Sequence, residues 1–217
     1  MKPIWGVTKR NFASSLVAFI ITIVVVVLAT TSPDSTFAIS RGNYTWIYLA
    51  MLPFFVVFGN FKKLLNLNAN KKSYYLGAIL TYAISALIIS SVNTLIHLTI
   101  DNLNTTQTVI NLMELCGWWN NGIMVAFIQQ FIFLFMSAIF LHVLLSMQPY
   151  WYGWLVDGII IAILCIFIPI APLRKLLVSF FQLIMFNSTA WLHIIVCILA
   201  CLIFYLIGLA VIKRKSI

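Results

Sequence analysis

Acidic residues are almost absent from this chain, and their scarcity excludes several classes of enzyme. Only four of the 217 residues are Asp or Glu, against 13 Lys and Arg, and charged residues make up 8% of the chain. Glu114 is the only glutamate, so the sequence cannot form a paired-glutamate active site or an H-E-x-x-H zinc site. It also has no G-x-S-x-G nucleophile elbow and no G-x-x-x-x-G-K-[ST] nucleotide-binding loop. We therefore expect no catalytic residues, no cofactor and no nucleotide hydrolysis by this chain itself.

Cysteine is also scarce, with four residues in the chain. Cys165, Cys197 and Cys201 fall in apolar runs and only Cys116 lies outside them, so no disulfide framework is expected. His193, Cys197 and Cys201 recur at every fourth residue, which places them on one stripe of a helix. Such a stripe could bind copper or zinc, but one imidazole without a carboxylate favours core packing instead, and we expect no metal.

Long apolar runs dominate what is present. Hydrophobic residues make up 63% of the chain, and the mean hydropathy is +1.08. A hydrocarbon core about 30 Å thick requires about 20 apolar helical residues to cross it. Six blocks approach or exceed that length: Phe12–Thr31, Tyr44–Gly59, Tyr75–Ile100, Gly122–Met147, Trp154–Ala171 and Ala190–Ile212. The sequence therefore predicts an all-α membrane protein with six transmembrane helices in a single domain over residues 1–217. Pro53 inside the short second block predicts a kinked or partly buried helix there.

The basic residues predict how these helices are oriented. With the N-terminus inside, the inner segments hold ten of the 13 cations: Lys2, Lys9, Arg10, Lys62, Lys63, Lys71, Lys72, Lys213, Arg214 and Lys215. The outer segments hold only Arg41, Arg174 and Lys175. Because Lys and Arg concentrate in cytoplasmic loops, both termini are predicted to be cytoplasmic in a multi-pass protein of the cell membrane. The net charge of +9 is then a topology signal rather than a nucleic-acid footprint, and no nucleic-acid partner is expected.

Three connecting segments have patterns of their own. Residues 1–11 mix apolar and basic side chains, which is typical either of an amphipathic helix on the inner membrane surface or of a basic anchoring tail. Residues 61–73 place Phe61, Leu64 and Leu65 on one face with lysines at both ends, which predicts a short helix parallel to the membrane followed by a turn. Residues 172–189 are largely apolar but too short to cross, which predicts a re-entrant or interfacial helix on the outer side.

Polar and small residues within the blocks form the remaining candidates. Asp157 is the one acid inside a span, and His142 is predicted at a similar depth on the preceding helix. We expect the two to form a structural pair, with a proton-coupled role as the alternative. Two stripes of small residues recur at every fourth position: Ser14, Ala18 and Thr22, and Gly77, Thr81 and Ser85. Such stripes permit close helix packing, which we favour within the chain, although a self-associating interface or a lined pathway would use the same residues.

Residues 61–77 carry a motif at the boundary between the second and third spans. A span ending in F-G is followed by a short basic helix and then by N-A-N-K-K-S-Y-Y-L-G, which opens the next span. This stretch resembles the permeases of ABC-2-type transporters, which often carry G-x-[ST]-R-K-x-[FY]-[FY]-x-G at this place. Lys71, Lys72, Tyr74, Tyr75 and Gly77 match this motif in kind. Asn68 stands where the family often has Gly, and Lys71 where it has Arg.

The resemblance implies a function and a set of partners. It implies an N-terminal elbow helix over residues 1–11, a coupling helix over 61–73 and an outer re-entrant helix over 172–189. The coupling helix would dock on a separate ABC ATPase subunit through Phe61, Lys62, Lys63, Leu64, Leu65, Lys71, Lys72 and Tyr74. Two permeases, identical or different, and two ATPases would form an exporter of an amphipathic or hydrophobic substrate, with a peptide as the expected cargo. The alternatives are a non-transporting immunity or accessory scaffold, and a secondary carrier that uses the Asp157 region.

Overall fold

Helices account for most of the chain in this computed structural model, which describes residues 2–28, 37–67, 69–103 and 108–215. In chain order they are α1 (Lys2–Ser14), α2 (Leu16–Leu28), α3 (Arg41–Tyr44), α4 (Trp46–Phe54), α5 (Phe61–Asn66), α6 (Lys71–Ile96), α7 (Leu112–Leu115), α8 (Ile123–Met147), α9 (Trp151–Phe167), α10 (Ala171–Ile184) and α11 (Ala190–Arg214). The π-helical stretches Phe55–Asn60 and His97–Asp101 continue α4 and α6, and the 3-10 turn Trp119–Asn121 precedes α8. The predicted all-α class is confirmed.

The only departure from that class among the described residues is a pair of three-residue strands. Strand β1 (Phe37–Ile39) lies parallel to β2 (Thr108–Ile110), with Phe37 opposite Thr108 and Ile39 opposite Ile110. The Ser40 N–H extends the ladder by donating to the Ile110 carbonyl at 3.0 Å. Strands this short carry no readable alternation in the sequence, so they were not predicted.

Several helices are long and apolar enough to cross a bilayer. Four pass this test among the described residues: Arg41–Asn66, Lys71–Asp101, Ile123–Met147 and Ala190–Arg214. Helices α1 and α2 together make a fifth if their 44° bend is counted within one span, and α9 is a shorter apolar helix. This is the architecture of a multi-pass membrane protein. The end of the first predicted span beyond Leu28 lies outside the described residues, as do Met1 and Asn68.

Serine side chains explain the bend between α1 and α2. The Ser14 hydroxyl donates to the Arg10 carbonyl at 3.0 Å, and the Ser15 hydroxyl donates to the Phe12 carbonyl at 3.0 Å. Hydroxyls that bond back to the preceding turn are known to bend helices. The bend leaves α1 packed along α6.

The second predicted span is continuous with the segment that follows it. The helix accommodates Pro53 and changes to a π pattern from Phe55, and α5 then continues directly from that pattern. The prediction of a separate short helix parallel to the membrane over residues 61–73 is therefore wrong. Asn60 and Phe61 keep right-handed helical dihedrals, so nothing breaks the helix before Asn66.

Candidate functional site

Basic residues from distant parts of the chain meet at one end of the helix bundle. The Lys71 Nζ donates to the Lys213 carbonyl at 3.0 Å, which joins the start of α6 to the end of α11. The Tyr150 hydroxyl donates to the Arg214 carbonyl at 3.1 Å and adds the turn between α8 and α9. The Lys215 Nζ lies 4.4 Å from the centre of the Phe61 ring and adds α5. We call this surface the basic end and define it as Lys62, Lys63, Lys71, Lys72, Lys213, Arg214 and Lys215.

Helix α5 divides into a buried face and an exposed face. Phe61 and Leu64 are only 2% and 5% exposed. The Phe61 ring meets the buried Tyr74 ring edge to face at 5.1 Å, and the Tyr74 hydroxyl donates to the Val56 carbonyl at 2.9 Å. Phe61, Leu64 and Tyr74, all expected at a partner interface, instead lie in the core and fix the position of α5. Leu65 is half-buried.

The lysines of this segment lie on the opposite face. Lys62, Lys63 and Lys72 are exposed, and Lys71 is half-buried because it bonds to the end of α11. These four side chains are therefore the part of the predicted coupling segment that a partner could reach.

A capped turn brings the two pairs of lysines together. The Ala69 N–H donates back to the Leu64 carbonyl at 3.1 Å and closes the end of α5. Asn70 then caps α6, because its side-chain oxygen accepts the Ser73 N–H at 2.6 Å. An asparagine at this position satisfies one of the free N–H groups of the first helical turn. Lys62 and Lys63 near the end of α5 are thus only a few residues from Lys71 and Lys72 at the start of α6.

Lys215 is the most constrained cation of the basic end. It is 8% exposed, and burial lowers the pKa of its ammonium group, with the nearby Lys62 charge lowering it further. The Phe61 ring face partly offsets this cost, since an aromatic quadrupole attracts a cation. Within the described residues no carboxylate forms an ion pair with any cation of the basic end, so its charge is available to an acidic partner.

The predicted pair of His142 and Asp157 does not form, and this expectation is corrected. The His142 Nδ1 lies 2.7 Å from the Tyr82 hydroxyl of α6, whereas Asp157 Oδ2 accepts the Gln148 side-chain N–H at 2.6 Å. His142 and Asp157 were predicted at similar depths on neighbouring helices, but their side chains point toward different partners. His142 points into the bundle and is fully buried, while Asp157 is half-buried beside the turn that precedes α9.

The stripe on α6 packs against α1. A Cβ atom on Gly77 would lie 2.5 Å from Val7 Cγ1, so only glycine permits this approach. The Thr8 hydroxyl donates to the Gly77 carbonyl at 3.2 Å, and the Asn11 amide donates to Thr81 Oγ1 at 3.2 Å. One face of α1 is therefore held by α6. Ser85, which completes the stripe, is also buried.

The stripe on α1 and α2 is likewise used within the chain. Ala18 and Thr22 are buried, and the Ser14 hydroxyl accepts a hydrogen bond from the Asn60 amide. The next residue, Ser15, bonds to the Tyr48 hydroxyl at 2.9 Å. These contacts join α1 and α2 to the helix Arg41–Asn66, so both stripes are used in helix packing within the chain.

A polar cluster at the far end of the bundle was missed by sequence reasoning. His97 lies between two carboxylates, with its Nδ1 3.3 Å from Asp101 and its Nε2 3.5 Å from Glu114. The Asn111 amide donates to both Asp101 and Asn93 at 3.2 Å. These bonds join the end of α6 to the loop that carries β2 and α7. The spacing of His97 and Asp101 by four residues is a sequence signal that would have indicated part of the cluster.

The cysteine and histidine stripe on α11 lies in the protein core. His193 and Cys197 are fully buried, and the Cys197 Sγ lies 3.7 Å from His193 Nε2. The Cys197 thiol also donates to the Ile184 carbonyl at 3.6 Å, and Cys201 is half-buried. Nowhere in the described part of the chain do three or more His, Cys, Asp or Glu side chains form a group that could hold a metal ion.

Comparisons of the chain with protein-family models, with curated proteins and with solved structures find no match. The function is therefore inferred from the geometry of the basic end together with the sequence motif that lies within it.

Proposed function

We propose that this chain is the permease subunit of an ATP-driven exporter of the ABC-2 type. It moves an amphipathic or hydrophobic substrate, which we propose to be a peptide, out of the cell, and a separate ATPase subunit supplies the energy. The observation that carries the proposal is the basic end, where exposed lysines lie on a helix end that is joined to two other helices, α6 and α11. No carboxylate of the described residues forms an ion pair with these lysines. A second permease chain completes the transporter.

The proposed arrangement has six membrane crossings. We assign the first to α2, with α1 as the inner elbow helix, and the others to Arg41–Asn66, Lys71–Asp101, α8, α9 and α11. Helix α10 follows α9 after a short turn and serves as the outer re-entrant helix. Because basic residues favour the cytoplasmic side, the basic end and both termini face the cytosol in this arrangement.

Contacts at the basic end would transmit the movement of a docked ATPase to several spans. Phe61 joins α5 to Tyr74 of α6, and Lys215 joins α5 to the end of α11. A displacement of Lys62 and Lys63 by a bound ATPase would therefore be transmitted to three spans at once. Densely packed elements tend to move as rigid bodies, so this end of the bundle would shift as a unit.

Co-purification tests the proposal. We expect the tagged wild-type chain, purified from its native host in mild detergent, to retain a protein with a Walker A motif and Mg-ATP hydrolysis. Replacing Lys62, Lys63 and Lys72 with Glu should reduce that retention by about two orders of magnitude, because each exposed charge pair contributes about 1 kcal/mol. The matched control replaces the three far-end cations, Arg41, Arg174 and Lys175, with Glu and should retain the ATPase.

Two results would contradict the proposal. One is unchanged ATPase retention by the basic-end variant, provided that its membrane orientation is verified to be that of the wild type. The other is the absence of any Walker A protein from the wild-type complex. A stable complex with a protein that lacks ATPase activity would instead favour the immunity or accessory scaffold.

A further inference from the structure

An open groove lies between the end of α9 and the length of α10. Its volume is about 420 Å³. Its walls are mainly apolar, with Arg174 and Gln182 as the polar residues beside Ile168, Leu177, Val178, Phe181 and Phe186. Helix α10 carries no fully buried residue, so its apolar side chains are open to the membrane or to a ligand. Since α9 is an apolar helix close to span length, we place the groove in the part of the molecule that the lipid bilayer would surround.

The far end of α10 is held firmly by the bundle. The Trp118 indole N–H donates to the Met185 carbonyl at 2.9 Å, and the Cys197 thiol donates to the Ile184 carbonyl at 3.6 Å. The Gln129 amide donates to the Asn187 carbonyl at 3.5 Å. One wall of the groove is therefore fixed before any ligand binds, which lowers the entropic cost of binding.

Among the residues that the structure describes, Arg174 is the only charged one that lines the groove. No carboxylate in the described ranges forms an ion pair with it, and its neighbour Lys175 adds a second exposed cation that does not line the groove. Helix stability does not account for these cations, because positive charge in the first turns of a helix is unfavourable. The excess of basic residues in cytoplasmic loops does not account for Arg174 and Lys175 either, because we place both at the end of the bundle opposite the basic end.

We propose that this groove binds one anionic phospholipid, with an acyl chain along the apolar walls and the phosphate paired with Arg174. A guanidinium pairs with phosphate through two parallel hydrogen bonds, and basic pockets beside membrane helices bind anionic headgroups. Two adjacent cations that form no ion pair with a carboxylate of the described residues favour a headgroup of net negative charge over a zwitterion, whose own cation would be repelled. The inference depends on the membrane placement of the helices but not on ATPase docking, which concerns the opposite end.

Native mass spectrometry of the full chain tests the proposal with defined lipids. The detergent-solubilised protein is titrated with phosphatidylglycerol or with phosphatidylcholine of the same acyl chains. We expect the wild type to retain phosphatidylglycerol about tenfold better than phosphatidylcholine. Arg174→Gln should weaken phosphatidylglycerol binding about fivefold, whereas the matched control Lys175→Gln should change it less than twofold. Val178→Trp, which fills the groove and keeps both charges, should weaken the binding of both lipids.

Three outcomes would overturn the proposal. Equal retention of the two lipids would show that no anionic headgroup is recognised. Equal losses in Arg174→Gln and Lys175→Gln would show that only surface charge acts. Full lipid binding by Val178→Trp would show that the groove is not the site. Each variant is first checked for wild-type elution on size exclusion, and a variant that fails is replaced by Arg174→Ala or Val178→Phe, for which the same comparisons hold.

Discussion

Replacing Gly77 with alanine tests the close packing of α1 on α6. The added Cβ would lie 2.5 Å from Val7 Cγ1, 2.7 Å from Val7 Cβ and 3.1 Å from the Ile4 carbonyl. Real Cβ atoms essentially never lie within 3.0 Å of another heavy atom, so the two contacts with Val7 require α1 to move away from α6. That movement strains the bond from Thr8 to the Gly77 carbonyl. Overpacking of this kind costs about 1–3 kcal/mol.

The assay is unfolding of the purified protein in detergent, with Gly6→Ala as the matched control. No atom lies within 4 Å of a Cβ built on Gly6, so that substitution should be neutral or stabilise α1 by up to about 1 kcal/mol through helix propensity. Val7→Gly should partly rescue Gly77→Ala, because it removes both clashing atoms. Val7→Ala should rescue less, because its Cβ remains 2.7 Å from the new one. Equal stability of Gly77→Ala and the wild type would refute this account of the packing, as would rescue by Val7→Ala equal to that by Val7→Gly.

Three further predictions concern polar side chains. Tyr82→Phe should lower the free energy of unfolding by about 1–3 kcal/mol, because it leaves the buried His142 Nδ1 without its partner. In a double-mutant cycle, Tyr82→Phe combined with His142→Leu should lower it by less than the sum of the two single effects. Asp157→Asn should change unfolding by less than about 1 kcal/mol because the Gln148 amide can still donate to it; a loss as large as that of Tyr82→Phe would contradict the assignment. For Lys215 the lowered pKa means that the folded state binds fewer protons than the unfolded state, so stability should rise with pH between the folded-state pKa and the ordinary value of 10.5. Unfolding measured against pH should lose this rise in Lys215→Met, and an identical slope in that variant would show that Lys215 is not responsible.

The sequence was sufficient to predict the features that depend on composition and spacing. Blocks of apolar residues predicted the helices because the bilayer sets one length scale for every span. Lysines in alternate loops predicted that residues around Lys62, Lys71 and Lys213 would share one end of the bundle, and their contacts in the structure join them there. The four-residue spacing of small side chains indicated helix packing, for which Gly77 provides the closest approach.

What the sequence did not predict depends on helix rotation and on distant partners. The depth of His142 and Asp157 could be counted along their helices, but the direction of each side chain depends on how α8 and α9 pack. The continuity of α5 with the second span depends on Phe61 and Leu64 being buried against Tyr74, which no local pattern specifies. The cluster around His97 is formed only when α6 meets the loop that carries Glu114.

Cysteine labelling in intact cells tests the central claim, that the basic end faces the cytosol, most directly. Single cysteines would replace Lys63 or Lys175 in a chain whose four native cysteines are replaced. Among these, the thiol of Cys116 would react slowly in any case, because burial raises its pKa to about 12. We predict that a membrane-impermeant maleimide labels the cysteine at position 175 in intact cells and the one at position 63 only after permeabilisation. Labelling of position 63 in intact cells would contradict the account.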